Sequence, residues 1–342
     1  MKVVVIEDSD LVRVELLRTL AQEPRFKVVG YATSEERAVA LILAEKPDAV
    51  LLDLGLAPGS GLNVLRRMRA ANSGARVLVM TNNVDAALRK ACEMEGISGF
   101  FDKSQNLDAC LDQLHAWLPP LPENEEARLD ALRSTRLLDG PEEETFDNIA
   151  RLASNILGAP MALISLVDRD RQWFLSRVGI TARETSRSIA FCAHAILRNE
   201  LMEVPDAMND PRFQDNPLVV GEPHLRFYAS VPLVLATGEA LGTLCALDTV
   251  PRQLDAAQRD ALITLARCVL DEIELRRRVI RLEQEIERRE AAEARIMHLA
   301  TRDPLTALPN RVTFRDRLTQ ATRQAARHGD PLAVMFIDLD RF

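Results

Sequence analysis

The stretch that organises this chain covers residues 255–300 and reads DAAQRDALITLARCVLDEIELRRRVIRLEQEIERREAAEARIMHLA. It contains no proline or glycine, and a set of mostly apolar residues recurs alternately three and four positions apart. The set is Leu265, Cys268, Glu272, Leu275, Val279, Leu282, Ile286, Arg289, Glu293, Ile296 and Ala300. This heptad spacing predicts one long helix that pairs with a second copy as a two-stranded coiled coil and joins the segments on either side. Charges within the set predict a weak coil, and a solvated surface helix is the alternative.

The composition is that of an ordinary globular chain. Of the 342 residues, 47% are apolar and 27% charged, and the length suffices for two full domains and part of a third. The net charge of −8 leaves no basic footprint, so we expect no nucleic acid partner. Apolar runs such as 231–236 are too short to cross a bilayer, and the first residues lack a signal-peptide pattern. Five scattered cysteines without a C-x-x-C pair predict buried thiols in a reducing cytoplasm.

Residues 1–118 alternate short β-rich runs with amphipathic helical patterns. The runs are 3–6, 27–30, 49–52, 77–80 and 97–101. Five such units predict a doubly wound, five-stranded parallel sheet of the α/β class. In this architecture a ligand binds at the carboxyl ends of the strands, where the strand order reverses.

Polar residues stand at those strand ends, namely Glu7, Asp8, Asp53, Thr81 and Lys103. Three carboxylates in one crevice repel each other unless a cation lies among them, and oxygen ligands of this kind suit Mg²⁺. Beside a metal, Asp53 could attack a phosphoryl group, while Lys103 and the Thr81 hydroxyl contact the phosphoryl oxygens. Each residue alone also fits a cap, a turn or plain surface, but their occurrence in order favours a phosphate site.

With these residues, the segment resembles a response-regulator receiver domain over its whole length. The resemblance implies that Asp53 is the phosphoacceptor and that a sensor histidine kinase or phosphotransfer protein is the partner. It further implies a Mg²⁺ site, phosphoryl-binding residues and an aromatic switch. These are Glu7, Asp8, Asp53 and the Gly55 carbonyl for the metal, Thr81 and Lys103 for the phosphoryl group, and Phe100 for the switch. The family usually has proline after the lysine, where this chain has Ser104.

Residues 119–127 form a stiff, acidic, proline-rich linker, and residues 128–254 predict an α+β domain with a mostly antiparallel sheet. Helical patterns cover 127–138 and 142–157, and the second points five residues inward: Phe146, Ile149, Ala153, Ile156 and Leu157. Strand patterns cover 162–167, 172–176, 228–235 and 241–247. Gly238 lies between the last two strands and indicates a hairpin.

This second domain resembles a GAF domain of the kind that precedes cyclase outputs. The matching stretches are SLVD at 165–168, RQWF at 171–174, FCAHAI at 191–196, DPRF at 210–213 and GTLC at 242–245. The resemblance leaves the GAF ligand unknown. Cys192 and His194 could suggest a bilin adduct or a metal, but Ala193 separates them and two ligands do not make a zinc site. We expect both to be ordinary packed residues, with either a small-molecule pocket or a dimerising role for the domain.

After the long helix, residues 301–311 read TRDPLTALPNR, and residues 332–342 predict a buried strand that ends in FIDLDRF. His298 could suggest a histidine kinase, but Leu299 stands where such a kinase normally has an acid. These motifs resemble the first quarter of a GGDEF domain, the catalytic unit of diguanylate cyclases. The resemblance implies Mg²⁺ held by Asp338 and the Leu339 carbonyl, and GTP phosphates facing the backbone of Arg341 and Phe342. No Gly-Gly pair occurs in the sequence, so the guanine-binding motif is absent.

We therefore expect five segments: receiver 1–118, linker 119–127, GAF domain 128–254, coiled-coil helix 255–300 and GGDEF fragment 301–342. The expected whole is a cytoplasmic response regulator, homodimeric through receiver, GAF domain and coiled coil. Phosphorylation of Asp53 would control a diguanylate cyclase that joins two GTP into cyclic di-GMP, and this fragment itself is expected to be inactive. Two other interpretations stay open: a GGDEF-EAL phosphodiesterase of cyclic di-GMP, and a non-catalytic dimerisation or binding module.

Overall fold

A computed structural model describes residues 1–329, 331–335 and 337. The chain divides into two compact units, Met1–Leu275 and Arg276–Phe342. Within the part of the chain that is described, every helix is either too short or too polar to cross a membrane.

The N-terminal part of the first unit is a five-stranded parallel sheet between two layers of helices. The strands are β1 Lys2–Ile6, β2 Lys27–Ala32, β3 Ala49–Asp53, β4 Arg76–Thr81 and β5 Gly99–Asp102. The helices are α1 Asp10–Leu20, α2 Glu35–Glu45, α3 Gly61–Ala70, α4 Ala86–Met94 and α5 Leu107–Ala116. The sheet order is β2-β1-β3-β4-β5, so the predicted doubly wound sheet is confirmed. Apart from Lys2 at the start of β1 and Arg76 at the start of β4, all residues of β1, β3 and β4 are buried, because helices cover both faces of the sheet. This burial explains the apolar runs in their sequences.

The next part is an antiparallel six-stranded sheet, as predicted for an α+β domain. Its helices are α6 Glu125–Ser134, α7 Glu144–Leu157, α8 Phe191–Ala195 and α9 Pro217–Val220. Its strands are β6 Met161–Val167, β7 Arg171–Val178, β8 Glu184–Ser186, β9 Met202–Val204, β10 Phe227–Val234 and β11 Ala240–Asp248. The order is β8-β7-β6-β11-β10-β9. Gly238, with a φ of 99°, lies in the β10–β11 connection, where the hairpin was predicted.

The six-stranded sheet separates two apolar cores. One core contains α7 and one face of the sheet, and the other contains α8 and the opposite face. Four of the five residues predicted to point inward from α7 are buried. The prediction for Ile156 is wrong: its side chain is 46% exposed, because α7 turns a face centred on Phe146, Ala150 and Ala153 to the core.

The long helix α10 covers Ala256–Thr301 without interruption, as predicted. Its first half contributes Leu262, Ala266, Val269 and Ile273 to the core that contains α7. The predicted coiled-coil positions lie on a neighbouring face. From Leu275 onward their apolar members are exposed, at Leu275, Val279, Leu282, Ile286 and Ile296. The exposed apolar positions are compatible with pairing of α10 with a second copy, which stays a prediction.

In the second unit, a turn leads from α10 to α11, which covers Arg311–His328. Asn310 caps α11 by accepting a hydrogen bond from the Thr313 amide at 3.0 Å. The predicted strand after α11 is wrong for the residues described: 331–335 and 337 form no strand and are exposed. A buried strand requires neighbours to pair with, and the described residues provide none here.

Candidate functional site

The site lies at the carboxyl edge of the parallel sheet. Glu7 directly follows β1, Asp53 is the last residue of β3, Thr81 is the last of β4, and Lys103 directly follows β5. Since β1 and β3 are adjacent and parallel, their ends bring Glu7 and Asp53 to the same point of the edge. The structure thus brings Glu7 and Asp53 together, while the functional roles of all four residues stay predictions.

Lys103 connects the two buried carboxylates. Its Nζ lies 2.8 Å from Glu7 Oε2 and 2.6 Å from Asp53 Oδ2. Glu7 is fully buried and Asp53 is 5% exposed. Burial raises the pKa of Glu7 and the Asp53 carboxylate adds to the effect, while the hydrogen bond and charge of Lys103 oppose it. The negative charges of Glu7 and Asp53 are thus balanced only while a cation such as the Lys103 ammonium lies beside them.

The carboxylates also fit a divalent cation. Oxygen atoms of Glu7, Asp8 and Asp53 lie within 4.8 Å of one another. Hard oxygen donors with room for further ligands are what Mg²⁺ selects. The Gly55 amide donates a hydrogen bond to Asp53 Oδ1 at 3.0 Å, so the loop that carries the fourth predicted ligand is folded against the site.

A glycine fixes the path of the chain behind Asp53. Gly61 begins α3, and a Cβ atom there would lie 2.2 Å from the Asp53 carbonyl oxygen and 2.7 Å from Leu54 Cα. Both neighbours are backbone atoms and cannot move aside. The close approach lets α3 begin directly beneath the end of β3, which holds the Asp53 carboxylate at the edge of the sheet.

The remaining predicted receiver residues are Thr81 at the end of β4 and Phe100 within β5, and Ser104 directly follows Lys103. Thr81 is 3% exposed, and its Oγ1 accepts a hydrogen bond from the Asn83 amide at 3.1 Å. Phe100 is half-buried against the core of the sheet, and the Arg89 guanidinium lies 5.1 Å above its ring. Ser104 donates from its amide and its hydroxyl to Asp102 Oδ1, at 2.8 and 2.6 Å, which holds the loop that carries Lys103.

The metal and nucleotide ligands predicted near the chain end are Asp338, Leu339, Arg341 and Phe342. All four lie outside the described residues.

A second candidate site is a cavity of about 540 Å³ beside α8 in the antiparallel domain. Its walls are mainly apolar, and Cys192 and Cys245 lie in its lining. Cys192 is buried, and His194 is half-buried with an edge contact to the Phe213 ring at 5.0 Å between centroids. Burial and the charge of Arg212 lower the pKa of His194 to about 4, so the imidazole is neutral near pH 7. Of the described residues, only Glu7, Asp8 and Asp53 form a group of three or more side chains that could hold a metal.

The hydrogen-bond donors around the Cys192 sulfur were not predicted from the sequence. Gln172, Tyr228 and Thr243 come from three different strands and direct hydrogen-bond donors at one atom. The one available signal is the alternation on β11, which places Thr243 and Cys245 on the same face.

Comparison with known families agrees with this architecture. A response regulator receiver domain model matches residues 3–115, a GAF domain model matches residues 141–274, and a diguanylate cyclase GGDEF domain model matches residues 300–342. The chain thus combines a receiver domain, a GAF domain and a segment of a GGDEF domain.

Individual relatives cover parts of the chain. A cyclic di-GMP phosphodiesterase of Pseudomonas aeruginosa is 46% identical over 142 residues, which are 42% of this chain and 24% of that protein. The chain therefore spans about a quarter of the length of that relative. A putative transcriptional regulator of the same species is 25% identical over 57% of this chain and 93% of its own length. A signal receiver domain structure from Mycobacterium tuberculosis is 30% identical over 33% of this chain and 95% of its own, with a TM-score of 0.31.

Proposed function

We propose that phosphorylation of Asp53 controls a cyclic di-GMP output in the protein to which this chain belongs. The observation that supports it most is the contact of the Lys103 ammonium with both Asp53 and the buried Glu7, beside the third carboxylate Asp8. A purely structural ion pair would not need two further carboxylates at the same edge. A phosphoacceptor site needs all of them.

In the proposed reaction, an oxygen of the Asp53 carboxylate attacks the phosphorus of a phosphohistidine or of acetyl phosphate. An acyl phosphate forms, and the leaving group departs with the electrons of the broken bond. Lys103, already 2.6 Å from Asp53, would bind one phosphoryl oxygen, and the Thr81 hydroxyl would donate to another. Mg²⁺ held by Glu7, Asp8, Asp53 and the Gly55 carbonyl would neutralise charge on the phosphoryl group.

For the output we propose a diguanylate cyclase that joins two molecules of GTP. Each cyclase domain would bind one GTP, so two copies must meet, and the exposed apolar positions of α10 are the surface we assign to this pairing. The GTP-binding and Mg²⁺-binding roles of Asp338, Leu339, Arg341 and Phe342 belong to this proposal. So does the switch role of Phe100, which would change its packing when Thr81 binds the phosphoryl group.

A second candidate output is hydrolysis of cyclic di-GMP. It is favoured by the relative of 46% identity, whose name is that of a cyclic di-GMP phosphodiesterase. The two outputs use the same receiver chemistry and differ in the product.

The first experiment treats the chain with acetyl phosphate, with and without Mg²⁺, and measures the phosphorylated fraction by intact mass. We expect Mg²⁺-dependent phosphorylation that Asp53→Asn abolishes. Asp112→Asn, on the exposed face of α5, is the matched control and should be phosphorylated as the wild type is. Equal phosphorylation of the Asp53→Asn and Asp112→Asn variants would refute the assignment of the phosphoacceptor.

The second experiment uses the full-length protein with GTP and Mg²⁺, and separates the nucleotides by chromatography. Formation of cyclic di-GMP that rises with acetyl phosphate identifies a receiver-controlled cyclase. Loss of added cyclic di-GMP identifies the phosphodiesterase instead. A protein that is phosphorylated and changes neither nucleotide would contradict both outputs and leave a non-catalytic module.

A further inference from the structure

Two buried thiols lie next to each other in the lining of the GAF-domain cavity. Cys192 lies on α8 and Cys245 on β11, and their sulfur atoms are 4.0 Å apart. Both side chains are at most 1% exposed, and both line the cavity of about 540 Å³. Cys192 is therefore close to a second thiol and next to open space, unlike a cysteine in a filled core.

The surroundings of Cys192 suit a thiolate. The Tyr228 and Thr243 hydroxyls each donate to its sulfur at 3.1 Å, and Gln172 Nε2 donates at 3.2 Å. A neutral thiol is a weak acceptor, so three strong donors at one sulfur exceed what it can use. A thiolate accepts several hydrogen bonds and gains from each of them.

The two thiols differ in their preference for the proton. Burial alone would raise the pKa of Cys192, but hydrogen bonds from Cys245, Thr243 and Tyr228 outweigh it and lower the pKa. Burial raises the pKa of Cys245, and the neighbouring Cys192 adds to the effect. Cys192 is thus the nucleophile of the pair, and Cys245 is the thiol that keeps its proton.

We propose that Cys192 and Cys245 form a redox-sensitive pair that an organic hydroperoxide entering this cavity oxidises to a disulfide. The apolar walls fit the organic part of such a molecule, since Leu163, Phe174, Ile180 and Leu225 line the cavity. Its volume lies in the range of about 300–1,000 Å³ that is usual for small-molecule pockets.

The reaction has two balanced steps. The Cys192 thiolate attacks the terminal oxygen of the hydroperoxide; the S–O bond forms, the O–O bond breaks, and the alkoxide leaves as an alcohol after taking a proton. Cys245 then attacks the Cys192 sulfur; the S–S bond forms, the S–O bond breaks, and the hydroxide leaves as water with the Cys245 proton. The sulfurs together lose two electrons and the peroxide gains them. A disulfide is about 2.05 Å long, so the two sulfur atoms, which lie 4.0 Å apart, must approach each other by about 2 Å.

The test exposes the reduced 342-residue chain to cumene hydroperoxide at pH 7 and follows each cysteine by differential alkylation and peptide mass spectrometry. We expect a disulfide between Cys192 and Cys245 and a reaction at Cys192 at least about tenfold faster than at Cys110. Cys110 is the control within the same molecule, because burial raises its pKa to about 12 and it does not line this cavity. Oxidation of Cys192 at the rate of Cys110, or with no Cys192–Cys245 peptide, would overturn the proposal.

Two variants separate the roles of the thiols. With Cys245→Ala we expect a sulfenic acid at Cys192 that dimedone traps, and with Cys192→Ala we expect Cys245 to remain reduced. Oxidation of Cys245 in the Cys192→Ala variant would contradict the assigned order. If either variant does not fold, the comparison of Cys192 with Cys110 in the wild type still decides the proposal.

Discussion

Arg128 offers the sharpest test of how the GAF domain is held together. It lies on α6 with its side chain fully buried, and its Nε and Nη2 donate to the Glu125 carboxylate at 2.9 and 2.8 Å. Its Nη1 donates to the Val167 carbonyl at 2.5 Å. Arg187 also pairs with Glu125, at 2.5 Å. The cluster therefore ties the start of α6 to the end of β6, and Arg128→Met removes its central cation.

The magnitude follows from these contacts. Burial opposes ionisation of Glu125, but the hydrogen bonds from Arg128 and Arg187 outweigh it and lower its pKa from 4.5 to about 2. A shift of that size corresponds to about 3 kcal/mol shared by the two arginines. The Val167 carbonyl left without its donor adds about 1–3 kcal/mol. We expect Arg128→Met to lower the free energy of unfolding by about 3–5 kcal/mol, as for other broken buried pairs.

The same helix provides the control. Arg133 pairs with Asp130 at the same three-residue spacing, at 3.4 Å, but the side chains are 52% and 78% exposed. Arg133→Met should cost about 0–1 kcal/mol because water already screens this pair. Unfolding is measured by urea titration in a Trp117→Phe background, where fluorescence reports the buried Trp173 of the GAF domain. If the free energy of unfolding falls by about 2 kcal/mol per M of urea, Arg128→Met should lower the urea concentration at the unfolding midpoint by about 2 M.

The pH dependence of the free energy of unfolding provides a second test of the Arg128 cluster. The folded pKa of Glu125 lies below its unfolded value, so its contribution is present above about pH 4.5 and is lost as the pH falls toward 2. The difference in the free energy of unfolding between the wild type and Arg128→Met should therefore become smaller as the pH is lowered from 5 to 3. Equal midpoint shifts for Arg128→Met and Arg133→Met, or a gap that stays constant with pH, would refute this account of the cluster.

Three further predictions concern the receiver and the long helix. Glu7→Gln should raise the melting temperature of the metal-free chain at pH 7, because burial raises the pKa of this carboxyl in the folded chain and so makes its charged form unfavourable there. The stabilisation by added Mg²⁺ should disappear in this variant. A variant that melts lower than the wild type, or that still responds to Mg²⁺, would contradict this prediction. Gly61→Ala should lower the free energy of unfolding by more than about 2 kcal/mol, because its Cβ would clash with backbone atoms. Gly74→Ala is the control and should change the free energy of unfolding little, because no atom lies within 4 Å of the position of its Cβ. Equal effects of the two substitutions in thermal unfolding would disprove the close approach at Gly61. Leu282→Glu should convert the dimer to a monomer in sedimentation equilibrium, because it places a charge among the exposed apolar positions of α10. The control Glu290→Lys should leave the dimer intact. A dimer retained by both variants would exclude these apolar positions of α10 as the interface.

The receiver fold was predictable because its signals are local. A parallel strand covered on both faces must be apolar throughout, so β1, β3 and β4 stand out as unbroken runs. Once the strands are known, the topology brings their ends together, and the polar residues at those ends become the candidates for a site. The errors here are shifts of one or two residues at strand ends.

The GAF domain was only partly predictable, because much of it depends on contacts between distant residues. The edge strands β8 and β9 have three residues each, too few for an alternating pattern, and were missed. Arginine is normally exposed, so nothing in the sequence indicated that Arg128 is fully buried. The donors at Cys192 come from β7, β10 and β11, which become neighbours only when the sheet forms.

The position of β11 has a consequence for signalling within the GAF domain. Cys245 and Leu247 belong to the core beside the cavity, while Leu244 and Ala246 belong to the core that also contains Leu262 of α10. Successive residues of one strand thus serve opposite cores, and a single backbone separates them. Because the core on the helix side is close-packed, a displacement of this strand from the cavity side would change the packing on the helix side in the same step. A ligand that displaced this strand on binding in the cavity would therefore also change the packing around α10, and a change in that packing would alter the affinity for the ligand by the same free energy.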